Sequence, residues 1–348
     1  MVDGRDKALV LDSNNFSYLL ADFKKLGTNR ETLSAGLLMG QKLVLGTLKG
    51  YVCVYKFNKD YKKDLSAKIQ SSRIYCMTQV GENALLVGGH GTLEVISFTK
   101  NKLNMRQVKS EVFQKLYQGK DVLKIVKLRH PDHYAISVVE FGIKVVQIFR
   151  NAQKGFVVKV LEPLFMPDQT VSDLFEYEQD RLLAVSYYGC SYHTIDLLNN
   201  REERITTGFS DRGINIIPSP YFSEEFPYIL AKESKWLCIL HLKHKKIYKL
   251  TLCEDKCAGG QRMAFLPRNA QEIKEETEEK RRKGSEQGDD YIRKEREKNA
   301  TFITTSCNVT QETGDHRARV RNGCIKKFKI NKKVFVELSQ RYLEQRQF

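Results

Sequence analysis

GYVCVYKF at residues 50–57, GTLEVISF at 91–98, GIKVVQIF at 142–149, GCSYHTIDL at 189–197, KWLCILHL at 235–242 and GCIKKFKI at 323–330 follow one pattern. Each has a turn residue, then apolar side chains at alternate positions, then a bulky apolar end. A period of two marks a strand whose two faces differ. Every copy opens on glycine except the fifth, which opens on Lys235; a tight hairpin needs a residue free to adopt positive φ at that place. The opening positions Gly50, Gly91, Gly142, Gly189 and Lys235 stand 41, 51, 47 and 46 residues apart. The last step, from Lys235 to Gly323, is 88 residues, one repeat lengthened by an insertion.

The flanks complete the repeat. Immediately upstream lie Leu43–Leu45, Ala84–Val87, Tyr134–Val139, Leu182–Ser186, Tyr228–Ala231 and Phe302–Thr305, all rich in β-formers. Before these come Thr32–Met39, Ile74–Val80, Val122–Leu128, Val171–Tyr177, Ile214–Ile217 and Met263–Leu266. Downstream, past a polar turn, stand Leu65–Ile69, Leu103–Val108, Phe156–Leu161, Glu203–Thr207, Ile247–Leu252 and Val334–Leu338, whose lysines suit an outer edge that must resist pairing. The repeat is therefore four strands, a unit that buries its apolar faces only by stacking on its neighbours. Val52, Val54, Leu93, Val95 and Val145 are expected in the buried layers between sheets.

Bulk composition agrees with an all-β fold. The hydrophobic fraction of 41%, with 16 Tyr and 18 Phe among 348 residues, is enough for a packed core and excludes disorder as the default. Lys and Arg outnumber Asp and Glu by 58 to 42, so the formal charge of +16 favours acidic surfaces or RNA. Cys53, Cys76, Cys190, Cys238 and Cys324 fall in strand-like runs, where a reduced thiol behaves as a small buried hydrophobe. The first residues, MVDGRDKALVLDSNNFSYLL, lack the basic region and cleavage site of a signal peptide, and no apolar run reaches bilayer length. An intracellular protein without membrane insertion is expected, in the cytoplasm rather than the nucleus.

Four strands recurring every 40–50 residues or so resemble the WD-repeat β-propeller family, over roughly Thr32 to Ser339. The resemblance implies six to seven four-stranded blades. The family's turn aspartate is replaced here by Lys49, His90, Phe141, Tyr188 and Asn322, and its third-strand tryptophan by Tyr55, Ile96 and Phe328. The side-chain tetrad that stiffens many members should be missing, with apolar packing standing in. Ala8–Asp12 and Phe16–Phe23, within the N-terminal segment 1–31, either contribute to a seventh blade or lie as an outer latch. The propeller is expected over 32–340, with a tail at 341–348.

Two stretches interrupt the period. Residues 268–300 contain EIKEETEEKRRKGSEQGDDYIRKEREK, almost free of apolar residues and mixed in charge, expected as a solvated helix or a disordered arm. Residues 306–322 lengthen a hairpin and end in HRARVRNG. On a strand, Arg317, Arg319 and Arg321 share one face and suit carboxylate or phosphate recognition; Lys243, Lys245 and Lys246 form another basic turn.

Chemistry leaves less trace. Cys238, His241, His244, Cys253 and Cys257 gather four or more zinc-type ligands but lack compact finger spacing, so no metal site is assigned. No Gly-x-Ser-x-Gly elbow, phosphate-binding loop or His-Glu-x2-His motif occurs, and no cofactor is expected. The WD-repeat resemblance implies a non-catalytic scaffold within a eukaryotic multiprotein complex. A ribonucleoprotein subunit is the alternative that the net charge supports, and a propeller-hosted enzyme is the third reading.

Overall fold

In a computed structural model, residues 7–11, 18–22, 33–39, 42–56, 63–68, 73–99, 102–104, 115–151, 155–166, 169–186, 191–205, 213–218, 228–233, 236–242, 246–251, 263–266, 299–310 and 319–331 are described. Among them the architecture is antiparallel β, with one short helical turn at 115–117. The chain divides into two compact units, Met1–Ala8 with Leu20–Gly213, and Leu9–Leu19 with Ile214–Phe348.

The first unit holds four sheets of four strands, each a meander in chain order. Ahead of them in the chain, β1 (Lys7–Leu11) and β2 (Tyr18–Asp22) make a separate two-stranded sheet, so both N-terminal strand candidates form and pair with each other. The first sheet is β3 (Leu33–Met39), β4 (Lys42–Thr47), β5 (Tyr51–Lys56) and β6 (Lys63–Lys68). The second is β7 (Ile74–Val80), β8 (Ala84–Gly89), β9 (Thr92–Thr99) and the short β10 (Lys102–Asn104). The third comprises β11 (Val122–Lys127), β12 (His133–Val138), β13 (Gly142–Asn151) and β14 (Gly155–Phe165). The fourth comprises β15 (Val171–Glu178), β16 (Arg181–Ser186), β17 (Tyr192–Asp196) and β18 (Arg201–Ile205).

Within this unit the first strands of successive sheets lie side by side, β3 on β7, β7 on β11 and β11 on β15. The sheets meet face to face through three apolar layers. Val52, Val54 and Val44 pack with Ile74, Leu85 and Val87. Leu86, Leu93 and Val95 pack with Ile125, Tyr134 and Ile136, and Val145 and Ala135 with Val171, Leu174 and Ala184. All five residues expected in such layers are buried there. β8 explains why second strands read as unbroken apolar runs: Leu85 and Val87 serve one layer, Ala84 and Leu86 the next, so both faces are covered. β4, β12 and β16 show the same burial after their first residue.

The opening glycines behave as read at three repeats, with Gly50, Gly91 and Gly142 at positive φ. Gly142 is tightly confined, since a Cβ there would stand 2.1 Å from the Met166 carbonyl oxygen. Gly88 and Gly89 end β8, where close approach explains them: a Cβ on Gly89 would meet the Arg73 carbonyl oxygen at 2.0 Å.

In the second unit, β19 (Gly213–Pro218), β20 (Tyr228–Glu233), β21 (Trp236–His241) and β22 (Lys246–Thr251) form a four-stranded sheet. β23 (Met263–Leu266), β24 (Asn299–Thr310) and β25 (Arg319–Asn331) form a three-stranded one. Gly323 does not open a tight turn: it lies within β25 opposite Cys307, beside a bulge at Asn322. The expected fourth strand Val334–Leu338 and the charged segment up to Lys298 lie outside the described residues. Among the described residues, no helix is long and apolar enough to cross a membrane.

Candidate interaction surface

The basic positions singled out from the sequence all fall in the second unit. Arg319 and Arg321 lie on β25, opposite Thr310 and Asn308 of β24, and the pairing puts the two arginines at same-face positions. Lys246 opens β22 opposite His241. Arg317, Lys243 and Lys245 lie outside the described residues. Of the zinc-type residues, Cys238 and His241 sit three apart on β21, an odd spacing that places them on opposite faces, and His241 is buried. His244, Cys253 and Cys257 lie outside the described residues, among which no group of three His, Cys, Asp or Glu is placed to hold a metal.

The first unit carries three polar ties that the sequence did not reveal. At one end of the sheets, Asp121 just before β11 accepts hydrogen bonds from His90 Nδ1 at 2.7 Å and from the Gly91 amide at 3.1 Å. The Asp121 carbonyl accepts from the Val139 amide, and the His90 amide donates to the Arg73 carbonyl, so the turns of the second and third sheets are fastened at one residue. Tyr75 stands between Arg73 and Asp121, and burial pushes its hydroxyl pKa up.

At the opposite end, between β11–β12 and β15–β16, His130 Nε2 lies 3.0 Å from Asp180 Oδ1 and 3.2 Å from Gln179 Nε2. The Glu176 carboxylate, only 6% exposed, accepts from the Arg129 and Asp180 amides at 2.7 and 3.3 Å. Burial raises the Glu176 pKa, and those two amides pull it back down.

The third tie lies inside the fourth sheet. His193 Nδ1 is 2.8 Å from Glu202 Oε1 and His193 Nε2 is 2.8 Å from Ser191 Oγ, while Glu202 Oε2 accepts from the Met166 amide. An ionised carboxylate only accepts, so Nδ1 carries the proton in the neutral imidazole and Ser191 donates to Nε2. Burial lowers the His193 pKa, with the Glu202 carboxylate opposing. The order serine, histidine, carboxylate is that of an activated nucleophile. Here the serine and imidazole are each 3% exposed, and the chain of bonds joins β17, β18 and the backbone after β14 instead of facing a cleft. Ser191 and His193, two residues apart at the start of β17, were its only linear signal.

Sheet meanders stacked face to face through their first strands invite comparison with solved structures. A chain in the crystal structure of a mitotic checkpoint complex is similar, with a TM-score of 0.51 and 12% identity over 73% of this chain and 76% of that one. The fold is a WD40-like β-propeller. Saccharomyces cerevisiae Sqt1 gives a TM-score of 0.49 at 13% identity over 66% of this chain, which spans 64% of the Sqt1 chain. The computationally designed Ika8 protein gives 0.47 at 9% identity, covering 73% of this chain and 74% of that one. No protein-family model and no curated protein matches the chain. In this propeller the missing turn aspartate of the second repeat has a local replacement: His90 occupies its place, and Asp121 supplies the carboxylate from the next sheet.

Proposed function

We propose that the chain is a non-catalytic protein-interaction scaffold, a subunit of a larger intracellular assembly in the eukaryotic cytoplasm, with acidic partner surfaces. The observation that carries this reading is the fold itself. In the first unit the strands face apolar layers and polar groups at the sheet ends pair with one another, which leaves turns and charge as what that unit presents. The similar chain comes from a crystal structure of a multiprotein complex, which supports membership of an assembly here. The +16 charge supports acidic partners and equally raises RNA as an alternative ligand. Arg317, Arg319, Arg321, Lys243, Lys245 and Lys246 are the contacts offered first.

The test is affinity capture of the tagged full-length protein from cells across a salt series, with and without nuclease, followed by quantitation of co-purifying proteins. Proteins recovered in fixed ratio and resistant to nuclease support the scaffold. Recovery of the chain alone, or capture abolished by nuclease, overturns it.

A further inference from the structure

β24 and β25 are 12 and 13 residues long, about twice the other strands of their unit. β23 pairs only with Thr301–Thr304, yet the β24–β25 ladder runs on to Thr310 opposite Arg319. Among the described residues, then, Thr305–Thr310 and Arg319–Ile325 form a two-stranded ribbon beyond the three-stranded sheet, with β25 as the edge that carries the arginines.

The register sorts this ribbon into two unlike faces. Thr310, Asn308, Ser306 and Thr304 of β24 share one face, and their partners are Arg319, Arg321, Cys324 and Lys326. Val309 and Val320 pair on the other face, followed by Thr305 with Ile325. The bulge at Asn322 keeps Lys326 in phase with the arginines, so basic positions recur along about 20 Å of one face, the span from Thr310 to Thr304. Without the bulge, period two would put Lys326 with the valines.

We propose that this ribbon is a docking arm that adds one extended strand from a partner protein along the Arg319–Cys324 edge of β25. The incoming strand alternates carboxylates with β-branched residues. Same-face residues of a strand are about 6.8 Å apart, the spacing of Arg319 and Arg321, so a strand with Asp or Glu at every second position puts one carboxylate opposite each arginine. Its intervening residues fall on the Val309–Val320 face, and its backbone completes the β25 ladder. The net charge of +16 disfavours a second copy of the chain as occupant. This inference rests on the scaffold reading above and narrows it to one edge.

Fluorescence anisotropy with the full-length protein tests it, using labelled peptides Glu-Val-Glu-Thr-Glu-Val-Glu and Glu-Glu-Glu-Glu-Val-Thr-Val, which share composition and charge. The alternating peptide should bind about tenfold more tightly than the blocked one, and the Arg319→Ser/Arg321→Ser protein should lose that preference with its circular dichroism unchanged. Equal binding of the two peptides, an unchanged preference in the variant, or displacement of the peptide by an RNA 12-mer at lower concentration than unlabelled peptide would overturn the docking arm. Loss of the arm with co-purifying proteins retained would leave the scaffold reading standing; loss of both would remove it.

Discussion

Gly142→Ala and Gly81→Ala form a matched pair. Both glycines sit at positive φ, +73° and +58°, Gly142 opening β13 and Gly81 following β7, but only one is crowded. An Ala Cβ at Gly81 meets nothing within 4 Å, whereas at Gly142 it stands 2.1 Å from the Met166 oxygen and 2.3 Å from the Phe165 oxygen. The left-handed conformation costs a side chain about 1–2 kcal/mol at either site. At Gly142 two carbonyls must also retreat by about 1 Å, endangering the Gly142 amide's bond to the Gln169 carbonyl and bringing the total to about 4 kcal/mol. In a body of some 200 residues each kcal/mol lowers the midpoint by about 2–4 °C. The midpoint of thermal unfolding followed by circular dichroism should then fall by about 8–16 °C for Gly142→Ala and by about 2–8 °C for Gly81→Ala. Equal shifts would refute the claim that backbone approach between the third sheet's turn and the segment after β14 fixes that glycine.

Two further outcomes are expected. Burial holds His193 below its usual pKa, so the unfolded chain takes up a proton at higher pH than the folded one, and stability should fall as pH drops through about 6.5. His193→Gln should flatten that decline between pH 7.5 and 5.5 in urea melts, and an undiminished slope would place the titration elsewhere. Leu86→Ala, which empties a fully buried place between the second and third sheets, should cost about 2–5 kcal/mol, whereas Leu198→Ser, at a side chain 74% exposed, should stay within about 0.5 kcal/mol in the same assay.

Strand positions were legible where apolar period and turn residues agreed: Ile74–Val80 and Met263–Leu266 form over the residues read from the sequence. The second strand of the first sheet was read too short, Leu43–Leu45 against Lys42–Thr47, because Thr47 and Gly46 are buried by close packing that composition does not announce. The outer strand expected at Leu103–Val108 is described only for Lys102–Asn104. The polar ties were invisible for a different reason. His90 and Asp121, or His130 and Asp180, are far apart in the chain and meet only once the stacking of adjacent sheets is known, and Glu202 reaches His193 only through the β17–β18 register. Arg319 and Arg321 were placed on one face by spacing alone, but Lys326 joins them only through a bulge that the sequence did not mark.

The double service of the second strands has a consequence for how this chain tolerates change. β8 lends alternate side chains to two separate layers, so a larger residue at Leu85 presses on the first sheet and one at Leu86 on the third. A substitution in β8 can therefore be compensated in the sheet before or the sheet after, according to whether its position is odd or even. Such paired drift can erase recognisable turn and strand signatures from every copy while the stack itself persists.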